Sequence, residues 1–447
     1  MIYLRGWTLN LVTLVAMVSV LFLTGAVAAE VGAEPDNFPD MEHVEWSRNA
    51  TIYEVNLRQF TQEGTINAFA QQLPRLKKLG VDILWLMPVQ PIGKVKRKGP
   101  LGSYYSISDY TAVNPEFGSL DDFKKMVKAA HQLGMKVILD WVPNHTAWDH
   151  PWTSQHKNWY KLNAQGELYP ATFSGDTVEV WEDVTQLNYA QPDMRKAMIA
   201  ALLFWIRDTD IDGFRCDVAS AVPVDFWEQA RKELDAVKPV FMLAEADLKT
   251  LHHSAFDMTY GWDLADLMRR FSAGKADVQA FRDWITVPYN GFARSAYRMH
   301  FTNNHDFNTW DGTDAELYGA AYEPFIVLTF TLPGMPLIYG GQEARLTKRL
   351  EFFKRDPIQW DHYELAPLYT ELVALKHRNP ALANGQYGAQ AEVLDSGNSA
   401  VLAYRRHLGS NRVTVAINLS GQTQSYHLPG ADVLKLGAWR WQIDETR

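Results

Sequence analysis

Eight short apolar runs, separated by stretches with helical spacing, limit what this chain can fold into. The runs are Thr51–Val55, Asp82–Met87, Lys136–Val142, Gly213–Asp217, Val240–Ala244, Phe256–Tyr260, Tyr297–Thr302 and Met335–Tyr339. Their length suits strands and not helices. Between them, apolar residues recur at spacings of three and four. One set is Ile66, Phe69, Leu73, Leu76 and Leu79; a second is Leu120, Phe123, Val127 and Ala130; a third is Met194, Met198, Ala201, Leu202 and Trp205. Such spacing places each set on one face of a helix. Eight strands alternating with helices predict a parallel (β/α)8 TIM barrel, with a doubly wound open sheet as the alternative.

Two regions interrupt the alternation. Residues 146–185 are irregular and rich in aromatics, and are too long for an ordinary connection. They are expected to form a short excursion domain after the third strand. From about residue 384 the helical period is lost. Val401–Tyr404, Arg412–Asn418 and Gln424–Leu428 read as antiparallel strands, with turns at Gly409-Ser410 and Ser420-Gly421. The expected organisation is a barrel over 46–383 carrying the 146–185 insertion, then a small C-terminal antiparallel β domain over 384–447. Residues 30–45, acidic and Pro-containing, read as a linker.

The first residues have a different character. Arg5 precedes an apolar run from Leu9 to Leu23, followed by small residues through Ala28-Ala29. This is the pattern of a secretory signal peptide over residues 1–29, with an uncleaved anchor as the competing reading. The A-x-A exit favours cleavage. The protein is therefore expected to be secreted or periplasmic, without stable membrane association after the cut. Cys216 is the sole cysteine, so no intrachain disulfide can form. The net charge is −9, with no basic stripe, which argues against nucleic acid as a partner. The one basic cluster, Lys94, Lys96, Arg97 and Lys98, reads as a solvated loop.

In a barrel of this kind the active site lies at the C-terminal ends of the strands. Four of the runs end abruptly in acids there. The third runs into Asp140 and on to Asn144-His145, the fourth into Arg215-Cys216-Asp217, the fifth into Glu245, and the seventh into Asn304-His305-Asp306. A single acid after a strand is usually a helix cap or a surface residue. Four of them aimed at one point suit glycoside hydrolysis, in which one carboxyl group donates a proton and another must be ionised. Arg215, two residues before Asp217, points the same way along the strand and is placed to hold that Asp ionised. Cys216 between them faces the helices and is expected to be packing. Trp205 and Trp227 are expected in the core, and Trp148, Trp152 and Trp159 are candidates for stacking on sugar rings.

Asp140–His145 (DWVPNH), Gly213–Asp217 (GFRCD), Glu245 and Asn304–Asp306 (NHD) resemble, in order and spacing, the four signature regions of the α-amylase family of glycoside hydrolases. Leu187-Asn188-Tyr189 matches a fifth, weaker region. The resemblance spans about residues 45–380, with further matches at Tyr53–Val55, Gly102–Tyr110 and Tyr339–Glu343. It implies Asp217 as nucleophile, Glu245 as general acid and then base, and Asp306 as the third carboxylate, which binds sugar hydroxyls. It further implies that Arg215 partners the nucleophile and that His145 and His305 bond the sugar. Tyr105 would lie beneath that sugar, and Asp140 would order the site. The implied substrate is an α-glucan or maltooligosaccharide, cleaved at α-1,4 bonds with retention. An α-glucosidase, cyclomaltodextrinase or transglycosylase remains an alternative, and an inactive glucan-binding homologue is a more remote one. No organic cofactor is implied.

Two departures stand out. Ser220 and Ala221 occupy positions where many members have Lys-His facing the leaving group. Gln186 stands where calcium-dependent members have an Asp, although Asn144 matches a calcium ligand. A hard cation wants several oxygens, preferably charged, so a structural calcium at Asn144 is doubtful.

Overall fold

The computed structural model describes residues 41–174, 178–430 and 432–447. The segment read as a signal peptide, 1–29, lies outside them. All eight expected runs form strands: Ile52–Val55, Ile83–Leu86, Lys136–Trp141, Gly213–Cys216, Phe241–Ala244, Met258–Tyr260, Tyr297–His300 and Met335–Tyr339. They pair in parallel, each with its neighbour in the chain. Tyr53 then pairs with Ile338, which closes the sheet on itself. Closure rules out the open doubly wound sheet.

Helices cover the outside, among them Leu120–Gln132, Pro192–Thr209, Val224–Asp235, Trp262–Ser272 and Tyr322–Thr331. The apolar stripe from Ile66 to Leu79 is carried by two helices and not one, Ile66–Ala70 and Leu73–Leu79, with the break at Gln71-Gln72. Leu120–Gln132 starts at a capping box, in which Ser119 and Asp122 satisfy each other's backbone N–H groups. Only a short 3-10 turn, Lys249–His252, stands between the fifth and sixth strands.

Strand alternation sorts the side chains into two cores. Tyr53, Leu84, Leu139, Phe214, Cys216 and Met242 face outward and join the large apolar layer under the helices. Ile52, Ile83, Trp85, Ile138, Phe241 and Leu243 face inward and fill the barrel with a second cluster. Trp205 and Trp227 are fully buried, as expected of core residues. The inward positions continue upward along the same strands. Two residues beyond Ile52 comes Glu54, beyond Ile138 comes Asp140, and beyond Leu243 comes Glu245; Arg215 and Asp217 follow on the fourth strand. The alternation that fills the barrel floor with hydrocarbon thus delivers charge to its top.

After the third strand, His145–Ala147, Val178–Gln186 and Pro170–Ser174 form a three-stranded antiparallel sheet. At the far end, Val401–Leu408 and Asn411–Asn418 pair across the turn at Gly409-Ser410. The third expected strand forms over Gln424–Tyr426, outside that sheet. It pairs with Leu434–Leu436, and the sheet gains Trp441–Thr446 and Ala391–Val393 instead. The last part of the expected linker is also folded. His43 is buried and bonds Asp257 at 2.8 Å, while Val44 and Trp46 pack against the inner core.

Gly213 opens the strand that carries Arg215 and Asp217. A Cβ there would lie 1.9 Å from the Phe241 carbonyl oxygen, and the residue has φ of +152°. Backbone cannot yield as a side chain can, so Gly213→Ala should destabilise the fold by on the order of 3 kcal/mol. An unchanged denaturant midpoint in that variant would contradict the close strand contact.

Candidate active site

A cavity of about 650 Å³ opens at the C-terminal end of the barrel, a size suited to a small-molecule or oligomeric ligand. Asp217, Glu245, Asp306, His305, His145 and Tyr105 all line it. The fourth, fifth and seventh strands therefore aim their terminal acids into one space. Arg215 and Asp140 are fully buried beneath them.

Arg215 is the hub. Its Nη1 donates to Asp140 at 2.9 Å and to Asp217 at 3.1 Å, and its Nη2 forms an ion pair with Glu245 at 2.9 Å. Its Nε donates to the Tyr260 hydroxyl at 3.2 Å. Trp85, Tyr105 and Tyr260 surround the guanidinium with their rings, at 5.2 to 5.8 Å from its carbon. Asp140 also accepts from Trp85 and Tyr105, each at 3.1 Å. Burial raises Asp140 to about 6 against the opposing pull of Arg215.

Arg215 is placed against Asp217 as expected, but it does not serve that acid only. One guanidinium is divided among three carboxylates. Burial first, and then the neighbouring charge of Glu245, push Asp217 well above the ordinary carboxylate range, with Arg215 opposing. Glu245 is also held by the backbone: Val218 N–H donates to its Oε2 at 2.7 Å. Val218 adopts φ of +42°, a left-handed conformation unusual for a β-branched residue. Strain of this kind persists where its surroundings over-determine it, which is common at active sites.

The two histidines differ in charge. Burial lowers His145 to about 4, so its ring is neutral at physiological pH. Burial would lower His305 as well, but Asp306 and Glu54 outweigh it and raise the ring to about 9. As an imidazolium it donates from Nδ1 to Glu54, while Nε2 lies 2.7 Å from the Tyr105 hydroxyl and 3.3 Å from Asp306. Tyr105 in turn donates to Asp140, so one chain of contacts joins the third, seventh and first strands.

A family model described as the alpha-amylase catalytic domain matches residues 34–381. The chain belongs to the α-amylase family. It is 29% identical over 404 residues to the alpha-amylase MalA of Haloarcula japonica, covering 86% of this chain and 57% of that protein. It is 28% identical to a cyclomaltodextrinase of Geobacillus thermopakistaniensis, covering 82% of this chain and 64% of the relative. The chain thus spans less than two thirds of the length of these two relatives. Among solved structures, an alpha-amylase from Lactobacillus plantarum superposes with a TM-score of 0.80 at 31% identity, covering 90% of this chain and 99% of that one.

The remaining walls of this α-amylase-family cavity come from residues whose single-sequence pattern is weak. Trp148, Trp152 and Trp159 do not line it. Trp159 and Trp152 pack on each other at 5.0 Å, and Trp148 lies under Lys96 with its N–H on the Glu182 carbonyl. Trp181, Trp262 and Trp310 line it instead, with Phe173, Phe352 and Phe353. The basic cluster is not simply a solvated loop. Arg97 bonds the carbonyls of Gly93 and Ile92, and Lys98 pairs with Asp183 at 3.0 Å on the cavity wall. Ser220, at the departure after the nucleophile position, also faces the cavity. Glu54, which holds His305, stands in a motif matched only as part of the first strand.

Asn144 does not present a cation site. Its Oδ1 accepts from Gln186 Nε2 at 3.3 Å, and its Nδ2 lies 3.2 Å from His145 Nδ1. Asp183, three residues before Gln186, is bound by Lys98. Among the described residues no three His, Cys, Asp or Glu side chains cluster as metal ligands. Two amides bonded to each other do not fit the charged oxygen shell that calcium prefers.

Two measurements test this chemistry. A site loaded at a hundred times its Kd would add about 3 kcal/mol to stability. Chelation should leave Tm unchanged, and a fall of several degrees would show a bound ion. The folded value of His305 stands above its unfolded value of about 6.5. Its stabilisation is therefore complete below about pH 6.5 and is lost as pH rises through about 9. Across that window the unfolding midpoint should fall more steeply in the wild type than in His305→Gln. Equal slopes would show that the imidazolium contributes nothing.

Proposed function

We propose that this protein hydrolyses α-1,4-glucosidic bonds in starch, glycogen or maltooligosaccharides with retention of anomeric configuration. The observation that carries this reading is the gathering of Asp217, Glu245 and Asp306 around one cavity, with the first two sharing a single guanidinium. Asp217 attacks the anomeric carbon while Glu245 gives its proton to the departing glycosidic oxygen, leaving a covalent glucosyl-enzyme. Glu245, now a carboxylate, takes a proton from water, which attacks the same carbon and frees Asp217. The step needs one proton in the pair, residing on Glu245 when substrate is bound. Arg215 touches both acids and stabilises whichever of them is ionised. Asp306 and protonated His305 bond the hydroxyls of the sugar being cleaved, and neutral His145 adds a third contact.

A second reading, cyclomaltodextrin cleavage or glycosyl transfer to a sugar, is favoured by Ser220 on the cavity wall in place of the larger cation. It would use the same carboxylates with a different leaving group or acceptor. Export through residues 1–29 would place either activity outside the cytoplasm. Among the described residues no helix is long and apolar enough to cross a membrane.

Chromatography of products from soluble starch, maltose and cyclodextrins over time separates the two readings. Preferential release of linear maltooligosaccharides from starch supports the first, and faster turnover of cyclodextrins supports the second. Asp217→Asn and Glu245→Gln should each lower kcat by several orders of magnitude while Tm holds, because the pair acts as one unit. Near-normal turnover in either variant would refute the assigned roles.

A further inference from the structure

An aromatic track leads out of the catalytic centre to an exposed tryptophan. His305 stacks on Tyr105 with ring centres 5.6 Å apart and planes at 22°. Tyr105 stacks on Phe352 at 6.3 Å and 11°. Phe352 in turn meets Trp310 at 5.6 Å, and Phe353 flanks the same indole at 6.1 Å. Trp310 is 55% exposed and lines the cavity. An indole left this open forfeits the burial that normally repays so large a side chain.

The indole is presented by a rigid segment. It sits on the π-type turn Phe307–Asp311, directly after Asp306; such turns are frequent at functional sites. Asn304 Oδ1 accepts from Phe307 N–H at 2.8 Å, and Asn303 donates to the Gly312 carbonyl at 3.2 Å. Asn308 bonds both the Lys348 carbonyl and the Leu350 N–H, and the Thr309 hydroxyl donates to the Leu350 carbonyl. Arg269 pairs with Asp311 at 2.8 Å. The turn is thereby tied to the segment after the eighth strand, which also supplies Phe352 and Phe353. Pre-ordering an aromatic surface removes the entropic cost of arranging it on binding.

We infer that Trp310, backed by Phe352 and Phe353, is a stacking platform for a glucose residue beyond the one being cleaved. The enzyme then favours chains long enough to reach it. A pyranose ring is about as broad as an aromatic ring, and its C–H face is apolar. A glucan chain running out from the catalytic sugar along this wall meets the indole with a later residue, not with the first. The inference rests on the α-glucan reading above and adds a chain-length requirement to it.

The test compares kcat/KM on maltotriose through maltoheptaose for the wild type, Trp310→Ala and Trp310→Phe. The wild type should gain efficiency with length. Trp310→Ala should lose about tenfold on the longer chains, through KM, while the shortest chain cleaved is unaffected. Trp310→Phe should restore most of the loss. Titration of maltohexaose into Glu245→Gln, with and without Trp310→Ala, should show the same fall in affinity without turnover. If Trp310→Ala keeps the wild-type length profile, or lowers every length equally, the platform is refuted and the hydrolase reading stands. If the wild type cleaves none of these oligosaccharides, the hydrolase reading fails and takes the platform with it.

Discussion

A guanidinium sealed in the top of a barrel, with three carboxylates within 3.1 Å, organises everything around it. Removing that many charges from water is costly unless each finds a partner. Here the partners are shared. Arg215 shares its Nη1 between Asp140 and Asp217 and turns its Nη2 to Glu245, while Trp85 and Tyr105 satisfy the second oxygen of Asp140. The result is a site whose acids are close and whose positive charge is insufficient to ionise them all cheaply. That imbalance, added to burial, pushes Asp217 well above the ordinary carboxylate range. The aromatic box of Trp85, Tyr105 and Tyr260 keeps water away from the cation and fixes its orientation. An Arg presents five donors in a planar fork that reaches several acids at fixed angles, whereas a Lys presents a compact point charge.

The barrel supplies this arrangement through a period of two. Residues at alternate positions fill the interior with Ile52, Ile83, Ile138 and Leu243, then change to Glu54, Asp140, Arg215 and Glu245 near the strand ends. The hydrocarbon floor supports the charged layer and keeps its dielectric low. A second network at the same height, Glu54–His305–Tyr105–Asp140, links strands that the Arg215 contacts do not reach. With Tyr260 on Arg215 and Trp85 on Asp140, the two networks connect side chains from the first through the seventh strands and their ends. A close contact at Gly213 sets the entry of the strand that carries both Arg215 and Asp217.

The walls obey a different logic. They are built by loops and by the inserted sheet, where aromatic residues stand on turns and hairpins tied down by backbone bonds. Phe173 stacks on Trp181 at 5.9 Å on the inserted hairpin, and Trp310 stands on a turn anchored to a neighbouring segment. The hairpin itself is held by side-chain contacts: Asn144 and Gln186 bond each other, and Asp183 takes Lys98. Chemistry is thus assigned to strands, which are rigid and register-locked, and selectivity to connections that can vary without disturbing them.

Local pattern was enough to read the strands, because a buried strand shows as a short apolar run wherever it lies. It was also enough to read Asp140, Asp217, Glu245 and His305-Asp306, since each lies at the end of such a run or within a few residues after it. It could not say which tryptophans meet the cavity. Trp148, Trp152 and Trp159 stand in an aromatic-rich segment, yet they pack against that segment's own neighbours, while Trp310 reaches the rim because distant residues 348–350 hold its turn. It also misjudged Lys98, whose partner Asp183 lies far along the chain, and left open the partner of the strand Gln424–Tyr426. Nor could it give the charge state of Asp217 or His305. Those values are sums over burial and over neighbours drawn from five strands, and only the closed barrel brings them together. The sequence by itself determined each residue's strand and the direction in which its side chain points. The tertiary fold decided every property that depends on contacts between remote segments, because burial and Coulomb interaction act through space and not along the chain.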